Sequence, residues 1–104
     1  MQKVRLQDWE IESIIATFGE YFNRDDELWL FGSRTDLSQK GGDIDLFIDS
    51  KMSDTDKILA ARLDFLIKLK DKIGDQKIDV VIKQHNMDDQ FIYKLAKSEG
   101  VRLK

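Results

Sequence analysis

The chain has 104 residues, which is the size of one domain. Its 17 Lys and Arg against 20 Asp and Glu give a net charge of −3, which argues against direct nucleic-acid binding, because that needs clustered positive charge. With no cysteine and one histidine, disulfides, thiolate metal sites and two-histidine metal sites are excluded. No apolar run is long enough to span a bilayer and the N-terminus lacks the apolar centre of a signal peptide, so we expect a cytoplasmic protein with no membrane partner.

The first half of the chain predicts one helix and two strands. Apolar residues at helical spacing between Ile11 and Phe22 predict the helix, with Asp8 as its N-cap and Trp9 as a packing residue. The apolar run 27–31 predicts a short buried strand that ends at Gly32-Ser33. Residues 43–49 alternate and predict a second strand, one face of which carries Ile44, Leu46 and Ile48 and the other Asp43, Asp45, Phe47 and Asp49.

The second half predicts a long helix, a strand and a last helix. Residues 53–73 form the long helix, with Gly74 at its C-cap. Its broad apolar arc fits a buried core helix and an exposed binding patch about equally well; the arc comprises Ile58, Leu59, Leu63, Phe65, Leu66, Leu69 and Ile73. Residues 77–82 predict the third strand, with Asp79 and Val81 on one face, and residues from about 88 to 98 predict the last helix, capped by Gly100.

This order predicts an α+β fold, in the form of an α/β sandwich: a small mixed β-sheet with covering helices, formed by residues 1–104 as a single domain. The two strands that flank the long helix could pair directly in parallel or be separated by another strand. The sequence leaves both arrangements open.

Three acidic residues are the most informative feature of the sequence. Asp43 and Asp45 point to the same side of one strand with Cα atoms about 6.6 Å apart, and their mutual repulsion favours a bound cation, for which magnesium is the natural candidate. The alternative is an edge strand with a solvated acidic face. Asp79 is an acid in a strand otherwise rich in β-branched residues, and it would join the pair if the two strands were neighbours.

A possible phosphate site precedes the acids. Gly32 lets a phosphate approach the backbone closely, and the hydroxyl of Ser33 can donate to it. Arg34 could contact a triphosphate oxygen or form an ion pair with an acid in the same turn. A Gly-Ser turn alone is commonplace, and it gains meaning only beside the three acids.

Four features of the sequence together resemble the signature of the DNA polymerase β-like nucleotidyltransferase superfamily. They are Gly32-Ser33-Arg34, the spacer up to Gly42, the run Asp43-Ile44-Asp45 and the later Asp79. In length and motif spelling the chain looks most like the minimal nucleotidyltransferases, which are commonly the antitoxins of HEPN-domain toxins. The resemblance implies a polymerase β palm-like core and two magnesium ions held by Asp43, Asp45 and Asp79 as the catalytic residues. It also implies that Gly32, Ser33 and Arg34 bind the phosphates of a nucleoside triphosphate.

The activity that this resemblance implies is transfer of AMP from ATP to a hydroxyl, with a tyrosine of a partner HEPN toxin as the expected acceptor. Such AMPylation would silence the toxin. Two alternatives stay open: a non-catalytic antitoxin that only masks its HEPN partner, and a nucleotidyltransferase that acts on a small molecule such as an aminoglycoside.

Overall fold

A computed structural model describes residues 6–31, 44–74, 76–85 and 91–104. Its elements in chain order are α1 (Asp8–Tyr21), β1 (Glu27–Phe31), β2 (Ile44–Asp49), α2 (Thr55–Ile73), β3 (Ile78–Lys83), α3 (Phe91–Glu99) and β4 (Val101–Arg102). Within these ranges, no helix combines the length and the apolar character that crossing a membrane requires. The fold is α+β, as the sequence predicts.

The four strands form one mixed sheet in the order β3-β2-β1-β4. Strands β2 and β3 pair in parallel, and α2 is the crossover that connects them. This answers the question that the sequence leaves open, because no strand lies between the two. Strand β1 runs antiparallel to both β2 and β4. The prediction of only three strands was wrong, because the tail after α3 returns to the sheet and pairs Trp29 with Arg102.

The alternation of side chains gives the sheet two different faces. One face packs against α1 and α2 and forms the main core, which includes Leu28, Leu30, Ile44, Leu46, Ile48, Ile78 and Val80 from the strands and Ile11, Ile14, Phe18, Phe65 and Leu69 from the helices. The other face holds a smaller apolar cluster, in which Phe47 and Tyr93 are buried and Trp29, Phe31 and Val81 pack against them. Helix α3 therefore covers part of the face opposite α1 and α2.

The apolar arc of α2 is divided between core and surface. Ile58, Phe65, Leu69 and Ile73 are buried, and the last three belong to the main core together with the sheet and α1. Leu59 and Leu63 are 57% and 58% exposed, so the part of the arc that they occupy is not covered. A helix can bury only one side against a sheet, and this arc is wider than that side.

The ends of the helices are set by local hydrogen bonds. Asp54 caps α2 by accepting from the backbone N–H groups of Asp56 and Lys57, and Gly74 ends it with φ at +94°, a conformation that favours glycine. The prediction of Asp8 as the N-cap of α1 was wrong. Gln7 has the extended backbone of the N-cap, and its N–H donates to Oε1 of Glu10 at 3.0 Å.

The two tryptophans differ in their environment. Trp29 packs against the cluster of Phe47 and Tyr93. Trp9 is 49% exposed, so its prediction as a packing residue was wrong. It lies in the first turn of α1, and its indole N–H donates to the side chain of Gln7 at 3.1 Å.

Candidate functional site

Two of the three predicted site acids are neighbours in the sheet. Asp45 of β2 and Asp79 of β3 are register partners in the parallel pair, so their Cα atoms are separated by about one strand spacing, roughly 4.8 Å. Both side chains lie on the face opposite α1 and α2, because the residues on either side of each acid belong to the main core. The crossover through α2 therefore brings together two carboxylates that are 34 residues apart in the sequence.

The end of β1 lies at the same level of the sheet. Phe31, the last residue of β1, is the antiparallel partner of Asp45, and Gly32 is the next residue in the sequence. Asp43 directly precedes the first residue of β2. Gly32, Ser33, Arg34 and Asp43 lie outside the described residues, and the roles assigned to them stay predictions.

The exposure of the two acids suits a site that is open to a substrate. Asp79 is exposed and lies on β3, an edge strand of the described sheet, whereas Asp45 is half-buried on the central strand β2. Two adjacent carboxylates supply the oxygen donors that magnesium prefers. Among the described residues no group of three or more acidic or histidine side chains forms a metal site, and the predicted third ligand, Asp43, is not one of those residues. The donor chemistry of Asp45 and Asp79 fits magnesium.

An aromatic pair stands next to the acids on the same face. Phe47 follows Asp45 by two residues, and its ring stacks on that of Tyr93 with centroids 5.5 Å apart and an interplanar angle of 26°. Val81 follows Asp79 by two residues and packs against the same cluster. This pair holds the central strand against α3 beside Asp45. The sequence shows an apolar residue two positions after each acid, but it does not show that Tyr93 packs on the cluster that these residues form.

An ion-pair group fixes the other end of α3. Nζ of Lys97 lies 2.6 Å from Oδ2 of Asp49 and 3.5 Å from Oε1 of Glu27, and Glu27 also accepts from the indole N–H of Trp29 at 3.0 Å. Burial lowers the pKa of Lys97, but the hydrogen bond to Asp49 and the charges of Asp49 and Glu27 outweigh it, so this pKa is raised above its usual value. Asp49 lies four residues from Asp45, about 13 Å along the strand, and has this structural role instead of a place beside the site acids.

A buried carboxylate holds the start of β1 against the end of β2. Asp26 is 2% exposed and accepts three hydrogen bonds, from the N–H of Lys51 at 2.7 Å, the N–H of Asn23 at 3.0 Å and the hydroxyl of Ser50 at 3.0 Å. These bonds tie together the chain segments that flank the β1–β2 pair. A slip of one residue in that pair would move Asp45 to the other face of the sheet, so the contact supports the site from a distance.

Residues 11–103 match the family model of the nucleotidyltransferase domain. The match spans most of the chain, and the chain therefore belongs to the nucleotidyltransferase domain family, in agreement with the resemblance to the polymerase β-like superfamily. A search among curated proteins found no match. Membership of this family supports a transferase that moves a nucleotidyl group.

Proposed function

We propose that this protein is a magnesium-dependent adenylyltransferase that transfers AMP from ATP to a tyrosine of a partner HEPN-domain toxin and thereby acts as its antitoxin. The observation that supports the proposal most strongly is the register pairing of Asp45 with the exposed Asp79, on the face opposite α1 and α2 and beside the end of β1. The family match supports nucleotidyl transfer, whereas ATP, the tyrosine acceptor and the HEPN partner come from the resemblance of the sequence motifs.

In the proposed reaction, the acceptor oxygen forms a bond to the α-phosphorus of ATP. The bond from that phosphorus to the oxygen bridging to the β-phosphate breaks, and pyrophosphate leaves. Asp45 and Asp79, with Asp43, would hold magnesium, which when bound supplies positive charge against the phosphate oxygens. Asp79 is exposed and would take the proton that the acceptor hydroxyl loses.

Access to the site supports an acceptor that is itself a protein. Asp79 lies on an edge strand of the described sheet, so a hydroxyl on a large partner can approach it from solvent. The described helices and strands all belong to one sheet and its covering helices, and none of them forms a separate unit that could hold a small acceptor. The partner would supply that missing part of the site.

The test is to mix the purified chain, ATP and magnesium with its HEPN partner and to weigh the partner by mass spectrometry. We expect the partner to gain the mass of AMP on a tyrosine. Asp79→Asn and Asp45→Asn should each abolish the gain, whereas Asp64→Asn, an exposed acid on α2, should leave it unchanged. A partner whose mass does not change with the unaltered chain would contradict protein adenylylation.

The same variants separate catalysis from masking. If Asp45→Asn still neutralised the toxin fully in cells, binding alone would suffice and the proposed chemistry would not be the antitoxin mechanism. If the unaltered chain conferred resistance to an aminoglycoside, the acceptor would be a small molecule instead of a protein.

A further inference from the structure

Helix α2 carries an exposed apolar stripe. Leu59, Leu63 and Ile67 are 57%, 58% and 61% exposed. They follow one another at intervals of four residues, so they form one continuous row along the helix. At 100° per residue the stripe is turned by roughly 125° from the side of α2 that is buried on the sheet. A contiguous row of large aliphatic side chains, unlike a single one, is typical of an interaction site.

Charged residues are arranged symmetrically about the centre of this stripe. Asp56 lies seven residues before Leu63 and Lys70 seven residues after it, and both are exposed. Seven residues are about two turns, so both charges lie on the side of the helix that bears the stripe. When the row is read from its C-terminal end, an aliphatic residue again stands at each of the three positions, and the acidic and basic ends are exchanged. Such a pattern is complementary to itself under a twofold rotation.

We propose that the stripe binds the same stripe of a second copy of this chain, forming an antiparallel dimer whose twofold axis passes beside Leu63. In this arrangement Leu63 meets Leu63 of the second copy, and Leu59 packs against Ile67 of the second copy. Asp56 lies near Lys70 of the second copy at both ends of the contact, which gives two attractive charge pairs.

A pocket borders the C-terminal end of the stripe. It has a volume of about 520 Å³ and is lined by Tyr21, Asp64, Ile67, Lys68, Lys70 and Asp71. Ile67 and Lys70 are the two residues that the symmetry places against Leu59 and Asp56 of the second copy. The proposed contact therefore reaches the edge of this pocket, where Ile67 lies against Leu59 and Lys70 against Asp56 of the second copy.

The position of the stripe also favours a second copy over the acceptor of the transferase reaction. The stripe is on α2, which covers one face of the sheet, whereas Asp45 and Asp79 lie on the opposite face. An acceptor hydroxyl brought to the stripe would be separated from both acids by the sheet. The dimer thus leaves the candidate site of each copy open.

Sedimentation velocity over a range of protein concentrations tests the dimer. We expect reversible dimerisation of the unaltered chain, in the weak range typical of a small interface. Leu63→Glu, which sets two carboxylates against each other at the axis, should weaken the dimer by at least about tenfold. Lys57→Asp, a charge reversal on the adjacent flank of the same helix, should leave it intact. A chain that stays monomeric at all concentrations, including one whose stripe serves a different protein, would overturn the proposal.

Charge exchange tests the symmetry. Asp56→Lys and Lys70→Asp should each weaken the dimer, because each places like charges at both ends. An equimolar mixture of the two variants puts opposite charges at both ends again and should restore association. Far-UV circular dichroism confirms that each variant keeps its helices. Variants that fold but do not associate better when mixed would exclude the antiparallel contact.

The absence of natural cysteine allows the axis to be located by oxidation. Leu63→Cys should form a disulfide-linked dimer readily, because the two residues face each other. Leu59→Cys should not do so alone, since the two positions are about 12 Å apart along the helix and a disulfide needs Cα atoms within roughly 7 Å. Cross-linking of Leu59→Cys as fast as that of Leu63→Cys would indicate a parallel pair and refute the proposed geometry.

Discussion

The buried carboxylate of Asp26 offers a sharp test of what holds the strands in register. Replacing it by Ala removes the acceptor for three hydrogen bonds at 2.7–3.0 Å, two of them from backbone N–H groups. The Ser50 side chain is fully buried, so its hydroxyl loses this partner without gaining free access to water. The result is a set of unsatisfied donors at the junction of β1 and β2.

The expected loss of stability in Asp26→Ala follows from these contacts. Hydrogen bonds to a charged group contribute about 1.5–3 kcal/mol each, and their effects are not additive. We therefore expect Asp26→Ala to lower the free energy of unfolding by about 3–5 kcal/mol, a large part of the roughly 5–15 kcal/mol that keeps a typical domain folded. Ser50→Ala removes one bond to the carboxylate and should cost about 1–2 kcal/mol.

Urea unfolding followed by circular dichroism measures these differences. Asp25→Ala is the matched control, because Asp25 is the adjacent residue of the same type and is exposed. That control should change the free energy by no more than about 0.5 kcal/mol. If Asp26→Ala were as mild as Asp25→Ala, the network around Asp26 would not hold the two strands, and the reasoning about register would fail.

Three further predictions concern other contacts of the fold. Phe47→Ala, which removes a fully buried ring from its stack on Tyr93, should lower the free energy of unfolding by about 3–5 kcal/mol in a urea titration, and a loss under 1 kcal/mol would contradict the packing. Gly74→Ala should lower the free energy of unfolding by about 1–2 kcal/mol, because φ at this position is +94°. Gly19→Ala within α1 should raise it by about 0.5–1 kcal/mol, since the new Cβ meets only the flexible end of Lys104 at 3.4 Å. A thermal melt that ranks the two variants in the opposite order would refute this. Because the pKa of Lys97 is raised in the fold, its charge stabilises the protein fully below the ordinary lysine pKa of about 10.4, and this contribution is lost as the pH rises through the folded value. Lys97→Met should therefore cost about 1 kcal/mol at neutral pH, and its deficit relative to the unaltered chain should shrink at strongly alkaline pH; a deficit that does not depend on pH would argue against the ion pair.

The faces of the strands could be predicted from the sequence because a strand alternates with a period of two. That period places Asp79 with Val81 and Asp45 with Phe47, and the structure shows the same division. The pairing of β2 with β3 could not be predicted, because the long helix between them permits a direct neighbour or an intervening strand. The register that places Asp45 beside Asp79 depends on how all the strands of the sheet pair, so it could not be predicted from either strand alone.

Other features were not predicted because they depend on contacts between residues that are far apart in the sequence. Strand β4 has two residues and exists because Arg102 pairs with Trp29, so no local pattern marks it. The periodicity of α2 shows which residues share a side of the helix, but not how far the sheet covers that side. The exposure of Leu59 could therefore not be predicted. Asp26 lies in a polar run that predicts a turn, and its burial becomes visible only once Ser50 and Lys51 are brought against it.

Metal binding by Asp45 and Asp79 is the central claim, and manganese titration tests it most directly. Manganese substitutes for magnesium at oxygen ligands and is detected by electron paramagnetic resonance, in the presence of a non-hydrolysable ATP analogue. Asp45→Asn and Asp79→Asn should each weaken manganese binding by more than about tenfold, while Asp64→Asn should bind like the unaltered chain. Full manganese affinity in Asp79→Asn would contradict the claim that these two register partners form one site.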